Sequence, residues 1–240
     1  MERVSGSLEG KSAVVSGASR GIGLAVARAL TIAGARVTML ARSVPELEAR
    51  ASELGAQAIT CDVADGGAVE RAAADIRERE GRAPDIIVNN AGLFRLARVD
   101  RTSAADFTAA LAVNLVAPFR LIRAFLPEMR DRGSGHLVNI GSIADHMTFP
   151  ENAAYSASKH GLRALHEVLR TELRGSGVRA SLISPGPVDT PLWDPIDPDR
   201  REGFTPRGRM LAADGVAAAV CFVLTQPPEV NVDLLRLSRS

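Results

Sequence analysis

The stretch "SAVVSGASRGIGLAVARAL", residues 12–30, decides the fold. A short apolar run ends in a glycine cluster and passes without a break into a helical pattern. Near-continuous apolar runs of this kind suit strands covered on both faces. Gly17, Gly21 and Gly23 are spaced G-x-x-x-G-x-G. Glycine permits a tight turn, and its missing side chain lets a phosphate approach the backbone. The segment 21–33 predicts a helix whose N-terminus, with free N–H groups and a positive dipole end, favours an anion. A strand before and a helix after separate a phosphate-binding turn from an ordinary glycine-rich one.

The same alternation runs down the chain. Apolar runs at 36–40, 56–60, 85–89, 136–140, 179–183 and 233–237 alternate with helical patterns at 44–54, 66–80, 104–131, 153–174 and 214–225. That order is the signature of a parallel sheet with crossover helices. The expectation is α/β: a Rossmann-type doubly wound parallel sheet of about seven strands, flanked by helices on both faces, in one domain over 1–240. The segment 185–213, rich in Pro, Asp and Arg and holding Trp193, reads as a long substrate loop beyond a strand's C-terminal end. Open α/β sheets bind their ligands at that edge.

Composition narrows the partners. The net charge is +1 and the basic residues are scattered, so neither a nucleic acid nor an anionic membrane is favoured. The N-terminus "MERVSGSLEGK" lacks an apolar core, so no signal peptide is expected, and no uninterrupted apolar stretch approaches a membrane span. Cys61 and Cys221 form no metal or redox motif and read as small core residues. His136, His160 and His166 lack metal-ligand spacing, so no metal is expected. A reducing cytoplasm fits this usage.

Tyr155 and Lys159 lie four residues apart in a helical pattern, and Ser142 stands upstream after "HLVNIG". Residues at i and i+4 share a helix face, which sets a phenol beside an ammonium. A free Tyr has a pKa of about 10, and a neighbouring cation draws it down. Bringing it near neutrality takes about 4 kcal/mol of differential stabilisation. A phenol so tuned exchanges protons with a hydroxyl or carbonyl oxygen. Lysine occurs in this chain only at Lys11 and Lys159, although 29 residues are basic. A compact point charge is what a crowded site beside a phenol requires.

The nucleotide is read from the end of the second strand, "VTMLARS". A carboxylate there would hold the ribose hydroxyls of NAD, and an arginine accommodates the 2′-phosphate of NADP. Ala41 stands where the acid would be, followed by Arg42 and Ser43, with Arg20 in the glycine turn able to reach the same region. Two cations without a carboxylate point to NADP(H).

With "SGASRGIG" at 16–23, "CDV" at 61–63, "NNAG" at 89–92, "VNL" at 113–115, Ser142, "YSASK" at 155–159 and "PGPVDT" at 185–190, the chain resembles the short-chain dehydrogenase/reductase family, in its NADP-preferring branch. The resemblance covers about residues 8–237. It implies a catalytic tetrad of Asn114, Ser142, Tyr155 and Lys159. It places Gly17, Ser19, Arg20, Ile22 and Gly23 at the phosphates, with Arg42 and Ser43 at the 2′-position. It sets Asp62 and Val63 beside the adenine and Asn89, Ala91 and Gly92 in the floor. Pro185, Gly186, Val188 and Thr190 fall at the nicotinamide end, which Tyr155 and Lys159 also reach. Each polar residue has a plainer reading: Asn114 can stabilise a helix kink, Ser142 a strand end, and Asp62 can cap a helix.

The activity so implied is reduction of a ketone, aldehyde or keto acid to an alcohol, or the reverse, with Tyr155 as proton donor and Ser142 binding the substrate oxygen. Asn114 is expected to anchor a water that links Lys159 to solvent. A homodimer or homotetramer on the helices 104–131 and 153–174 is also implied. Ser16 stands where the family usually has threonine. The ending "QPPEVNVDLLRLSRS" departs from the Gly-rich ending of ketoacyl reductases and resembles that of hydroxy-acid, serine-type and aldehyde reductases. The alternatives are a 3-oxoacyl carrier-protein reductase-like enzyme, a non-catalytic NADP-binding regulator, and an epimerase or dehydratase. Leu93, Phe94, Ile143, His146, Phe149, Pro187 and Trp193 are candidate pocket walls for a small-molecule substrate. Asp145 and His146 read first as an exposed loop.

Overall fold

A computed structural model describes residues 8–240, so the composition that argues against a signal peptide falls, through residue 7, outside the described residues. Strands β1 (Ser12–Ser16), β2 (Arg36–Ala41), β3 (Gln57–Thr60), β4 (Ile86–Asn89), β5 (Gly135–Ile140), β6 (Val178–Pro185) and β7 (Leu234–Leu237) form one sheet in the order β3-β2-β1-β4-β5-β6-β7. Every pairing is parallel. β1 lies between β2 and β4, so the winding reverses there and leaves a crevice beyond the strands' C-terminal ends.

Helices α1 (Gly21–Ile32), α2 (Val44–Leu54), α3 (Gly66–Glu80), α4 (Ala104–Leu111), α5 (Ala117–Arg132), α6 (Ala153–Glu172) and α7 (Ala213–Leu224) are the crossovers. Successive strand residues point to opposite faces, which builds two cores. Val15, Met39 and Ile183 pack with Val26 and Leu30 of α1 and Val216 and Val220 of α7. Val14, Leu40, Ile87 and Leu137 pack with Ile76 of α3 and Leu121, Phe125 and Met129 of α5. Such side chains contribute about 1.5–3 kcal/mol each on full burial.

The structure corrects the uninterrupted helix expected over 104–131. A π turn, Ala112–Val116, separates α4 from α5, and the Ala117 N–H reaches back to the Ala112 carbonyl. The cause is local: Pro118 has no N–H for the carbonyl of Asn114, so the regular ladder fails there. The whole run Ala104–Arg132 is long and apolar enough to cross a membrane, with a mean hydropathy of 1.6 in its best window. In this fold Leu121, Ile122, Phe125 and Met129 of that run are buried on the sheet. The loop after β6 holds three 3-10 turns, at Pro191–Trp193, Pro198–Arg200 and Arg207–Arg209.

His136 is buried in β5, its Nε2 2.9 Å from the Ser181 hydroxyl. Burial, aided by the Arg179 charge, pushes its pKa down to about 3. The folded protein therefore keeps it neutral where the unfolded chain, titrating near 6.5, takes up a proton. Stability is full above about 6.5 and falls as pH drops toward 3, by up to about 1.4 kcal/mol per pH unit from this residue. Urea unfolding at pH 7 and pH 5 is expected to show the loss, and His136→Gln to flatten the pH dependence.

Candidate active site

The crevice opens into a cleft of about 1040 Å³. Its floor is set by a clamp between the ends of β1 and β4. The Ser16 hydroxyl accepts the N–H groups of Asn90 (3.0 Å) and Ala91 (3.1 Å), and Asn90 Nδ2 donates to the carbonyls of Ser16 (2.9 Å) and Gly17 (3.1 Å). Gly17 has φ +65°, and a Cβ there would meet Ala91 Cα at 2.8 Å. At Gly23 a Cβ would lie 2.2 Å from the Gly17 carbonyl oxygen and 2.4 Å from Asn90 Nδ2. Both glycines keep the turn thin. Arg20, the N-cap of α1, is extended and makes no side-chain cap, so the first-turn N–H groups keep no side-chain partner. That combination fits a dinucleotide's phosphates.

Gly17, Ser19, Arg20 and Ile22 border the cleft, as do Arg42, Ser43, Asp62, Val63, Ala91 and Gly92. Pro185, Gly186, Val188 and Thr190 line it too, together with Ser142, Tyr155 and Lys159. Gly23, Asn89 and Asn114 do not line it. Asn89 lies within β4 and donates to Asn139 Oδ1 at 2.8 Å, beneath the floor. Its neighbour Asn90, which the sequence reading passed over, holds the floor together. Arg20 and Arg42 are exposed. Asp62 accepts the Ala64 N–H at 3.0 Å, and the cap of α3 is Asp65, not Asp62.

Asn114 is fully buried in the π turn. Its Nδ2 donates to the Leu93 carbonyl and the Ser158 hydroxyl, both at 2.9 Å, and its Oδ1 accepts the Leu93 N–H at 2.7 Å. The Ser158 hydroxyl donates in turn to the Tyr155 carbonyl at 2.7 Å. The side chain thus ties the segment after β4 to the turn of α6 that carries Tyr155. Both of its donors are thus taken up within the protein.

Lys159 is 4% exposed, and its Nζ donates to the Ile140 carbonyl at 2.8 Å while lying 5.6 Å from the centre of the Tyr155 ring. Burial lowers its pKa to about 8, against the opposing pull of the Asp145 charge. Burial raises the Tyr155 phenol to about 12; Ser142 works against that rise and Asp145 adds to it. Burial thus outweighs the Ser142 hydrogen bond, which works to lower the phenol.

Asp145 corrects a second expectation. It is 1% exposed, not solvated. Its Oδ2 accepts the Ser184 hydroxyl and the Ser142 N–H (3.4 Å), and its Oδ1 faces His146 Nδ1 at 2.6 Å. A buried carboxylate so held fixes the 3-10 turn Ile143–Asp145 that aims Ser142. Of the expected wall residues, Leu93, Phe94, Ile143, Phe149, Pro187 and Trp193 line the cleft and His146 does not. Phe204 and Glu151 line it as well, without having been expected.

The chain is similar to known proteins in sequence and in fold. The short chain dehydrogenase family matches residues 11–201. A D-threitol dehydrogenase of Mycolicibacterium smegmatis is 38% identical over 225 residues, covering 90% of this chain and 86% of that protein. A metagenomic short-chain oxidoreductase solved with NADP superposes with a TM-score of 0.83 at 34% identity, over 98% of this chain and 100% of that one. An alcohol dehydrogenase from Thermococcus sibiricus, complexed with 5-hydroxy-NADP, gives 0.83 at 33% identity over 95% of each chain.

Two substitutions test the site's construction. Gly23→Ala must displace backbone in the turn, so the variant is expected to fold yet bind the nicotinamide dinucleotide, NADPH or NADH, at least about tenfold more weakly, roughly 1.4 kcal/mol, by fluorescence titration. Asp145→Ala strands the Ser184 hydroxyl and the Ser142 N–H. It is expected to cost about 1–3 kcal/mol in urea unfolding.

Proposed function

The chain belongs to the short-chain dehydrogenase/reductase family, and we propose that it works as an NADP(H)-dependent carbonyl reductase. Membership makes it an oxidoreductase acting on CH–OH groups. The observation that carries the reading is the convergence of Ser142, Tyr155 and Lys159 on the cleft that begins at the uncapped end of α1. NADP is favoured over NAD by Arg20 and Arg42, which border the cleft where β2 ends in Ala41 rather than a carboxylate. The NADP and 5-hydroxy-NADP carried by two structural neighbours support the same choice.

When bound, the nicotinamide would supply the hydride that reaches the carbonyl carbon. The protein's share is position and proton. Tyr155, with its pKa raised to about 12, keeps its proton at neutrality and gives it to the substrate oxygen. The Ser142 hydroxyl donates to that same oxygen and orients it. Lys159 stabilises the phenolate that remains and would hold the nicotinamide ribose.

The single domain, with 185–213 as its substrate loop, is read here as a cytoplasmic homodimer or homotetramer. Phe107, Phe119 and Val168, exposed on α4, α5 and α6, support an interface there. A non-catalytic regulator would have no use for the tetrad, and an epimerase or dehydratase would need more room than residues 190–213 provide.

The test is NADPH and NADH oxidation by the purified protein against a panel of ketones, aldehydes and keto acids. Tyr155→Phe is expected to lower kcat by about 10²–10⁴-fold, the range of a lost general acid. Unchanged turnover in that variant would remove Tyr155 from the chemistry. Arg42→Ala is expected to raise the KM for NADPH about tenfold, roughly 1.4 kcal/mol of binding, while leaving that for NADH nearly unchanged. Equal losses for both would remove the 2′-phosphate assignment.

A further inference from the structure

Aromatic residues are scarce in this chain, and they are gathered in one place. Of its seven Phe, one Tyr and one Trp, three Phe together with the Tyr and the Trp line the cleft. Starting at the proton donor, Phe94 packs edge-on against Tyr155 with ring centres 4.8 Å apart. Trp193 packs edge-on against Phe94 at 5.2 Å, and Phe204 against Trp193 at 6.3 Å. The indole is fixed by a hydrogen bond of 3.0 Å from its Nε1 to the Val188 carbonyl. An aromatic wall therefore leads from the phenol toward the loop after β6.

The wall is held by strained backbone. Among the described residues, Glu151 (φ +61°) and Asp197 (φ +50°) are the non-glycine residues with positive φ. Glu151 precedes α6, its carbonyl accepts the Ala97 N–H at 2.9 Å, and its carboxylate pairs with Arg201. The Arg201 guanidinium lies 4.8 Å from the centre of the Phe204 ring. Asp197 lies in the loop between Trp193 and Phe204. Strain of this kind persists only where surrounding contacts enforce it, as in ligand clamps.

Charge at this end of the cleft is equally informative. Among the described residues, the cationic side chains lining the whole cleft are Arg20, Arg42 and Lys159. The first two lie at the phosphate turn and the end of β2, and Lys159 already donates to Ile140. The nearby Arg201 and Arg207 are paired with Glu151, and with Asp189 and Asp194. Glu202, exposed on the lining, adds a negative charge. A substrate carboxylate would meet no free cation here, and a row of hydroxyls would be desolvated against rings.

We infer that this cleft takes a neutral carbonyl compound bearing an aryl or similarly flat apolar group, and turns away keto acids and polyhydroxy carbonyls. The inference rests on the carbonyl-reductase reading above and narrows it. Edge-to-face aromatic packing leaves ring surface for one more ring, and that packing contributes beyond simple area burial.

The experiment measures NADPH consumption with acetophenone, with phenylglyoxylate and with dihydroxyacetone. Phenylglyoxylate keeps the ring and carbonyl and replaces the methyl with a carboxylate. The expected result is a kcat/KM for acetophenone at least about tenfold above either of the others, the scale on which apolar pockets discriminate. Equal or faster turnover of phenylglyoxylate or dihydroxyacetone overturns the inference. Turnover confined to aliphatic ketones or aldehydes also overturns it, while the carbonyl-reductase reading survives. No turnover with any carbonyl, although NADPH binds, overturns both. Trp193→Ala and Phe204→Ala are each expected to lower the ratio of acetophenone to butanone turnover about tenfold. An unchanged ratio in both variants removes the aromatic wall from substrate choice.

Discussion

The site depends on one small set of hydrogen bonds, those joining Ser16 to Asn90 across the ends of β1 and β4. Here the sheet changes its direction of winding, and two neighbouring chains leave it toward opposite faces. A crevice at such a point would close or gape unless something fixed its width. The serine hydroxyl serves as acceptor for two successive N–H groups, and the asparagine amide returns to two successive carbonyls. Gly17 and Gly23 then allow α1 to start directly above that clamp, with no side chain in between. The glycine turn and the floor are thus one object. Serine in place of the family's usual threonine keeps the hydroxyl that the clamp needs.

The other end of the cleft is governed by desolvation. Lys159 and Asp145 are buried, and Tyr155 is half-buried beside them. Burial drives the phenol up and the ammonium down, so each moves toward its neutral form. Asp145 raises both groups, so it helps keep Lys159 charged while reinforcing the proton on Tyr155. Asn114 and Asp145 stand behind Tyr155 and Ser142. One fixes the backbone beside Tyr155, and the other fixes the turn that presents Ser142. Their polar atoms are engaged within the protein, which is why both act on the site through what they hold in place.

Much of this was legible in the sequence because it is written locally. The strands begin and end within a residue or two of their apolar runs, and the glycine turn sits in continuous chain with its strand and helix. Tyr155 and Lys159 are related by helical spacing alone. Asn89 and Asn90 show where locality fails: adjacent residues on a strand point to opposite faces, and only the pairing partners tell which one reaches the floor. The π turn had a signal, Pro118 four residues after Asn114, but the apolar period runs through it unbroken. Asp145 was misread because its partner Ser184 is 39 residues away. The Glu151–Arg201 pair spans 50 residues, and no local pattern announces it.

The scarcity of lysine has a consequence for handling the protein. Lys11 is exposed and immediately precedes β1, at the end of the strand remote from the cleft. Lys159 is the other lysine, and it is enclosed by the fold. Amine-directed coupling to a solid support therefore has one accessible side chain, and that side chain lies beneath the sheet. A molecule tethered there would stand with its cleft facing the solution. With the α-amino group blocked, immobilisation through Lys11 would give a layer of uniformly oriented protein.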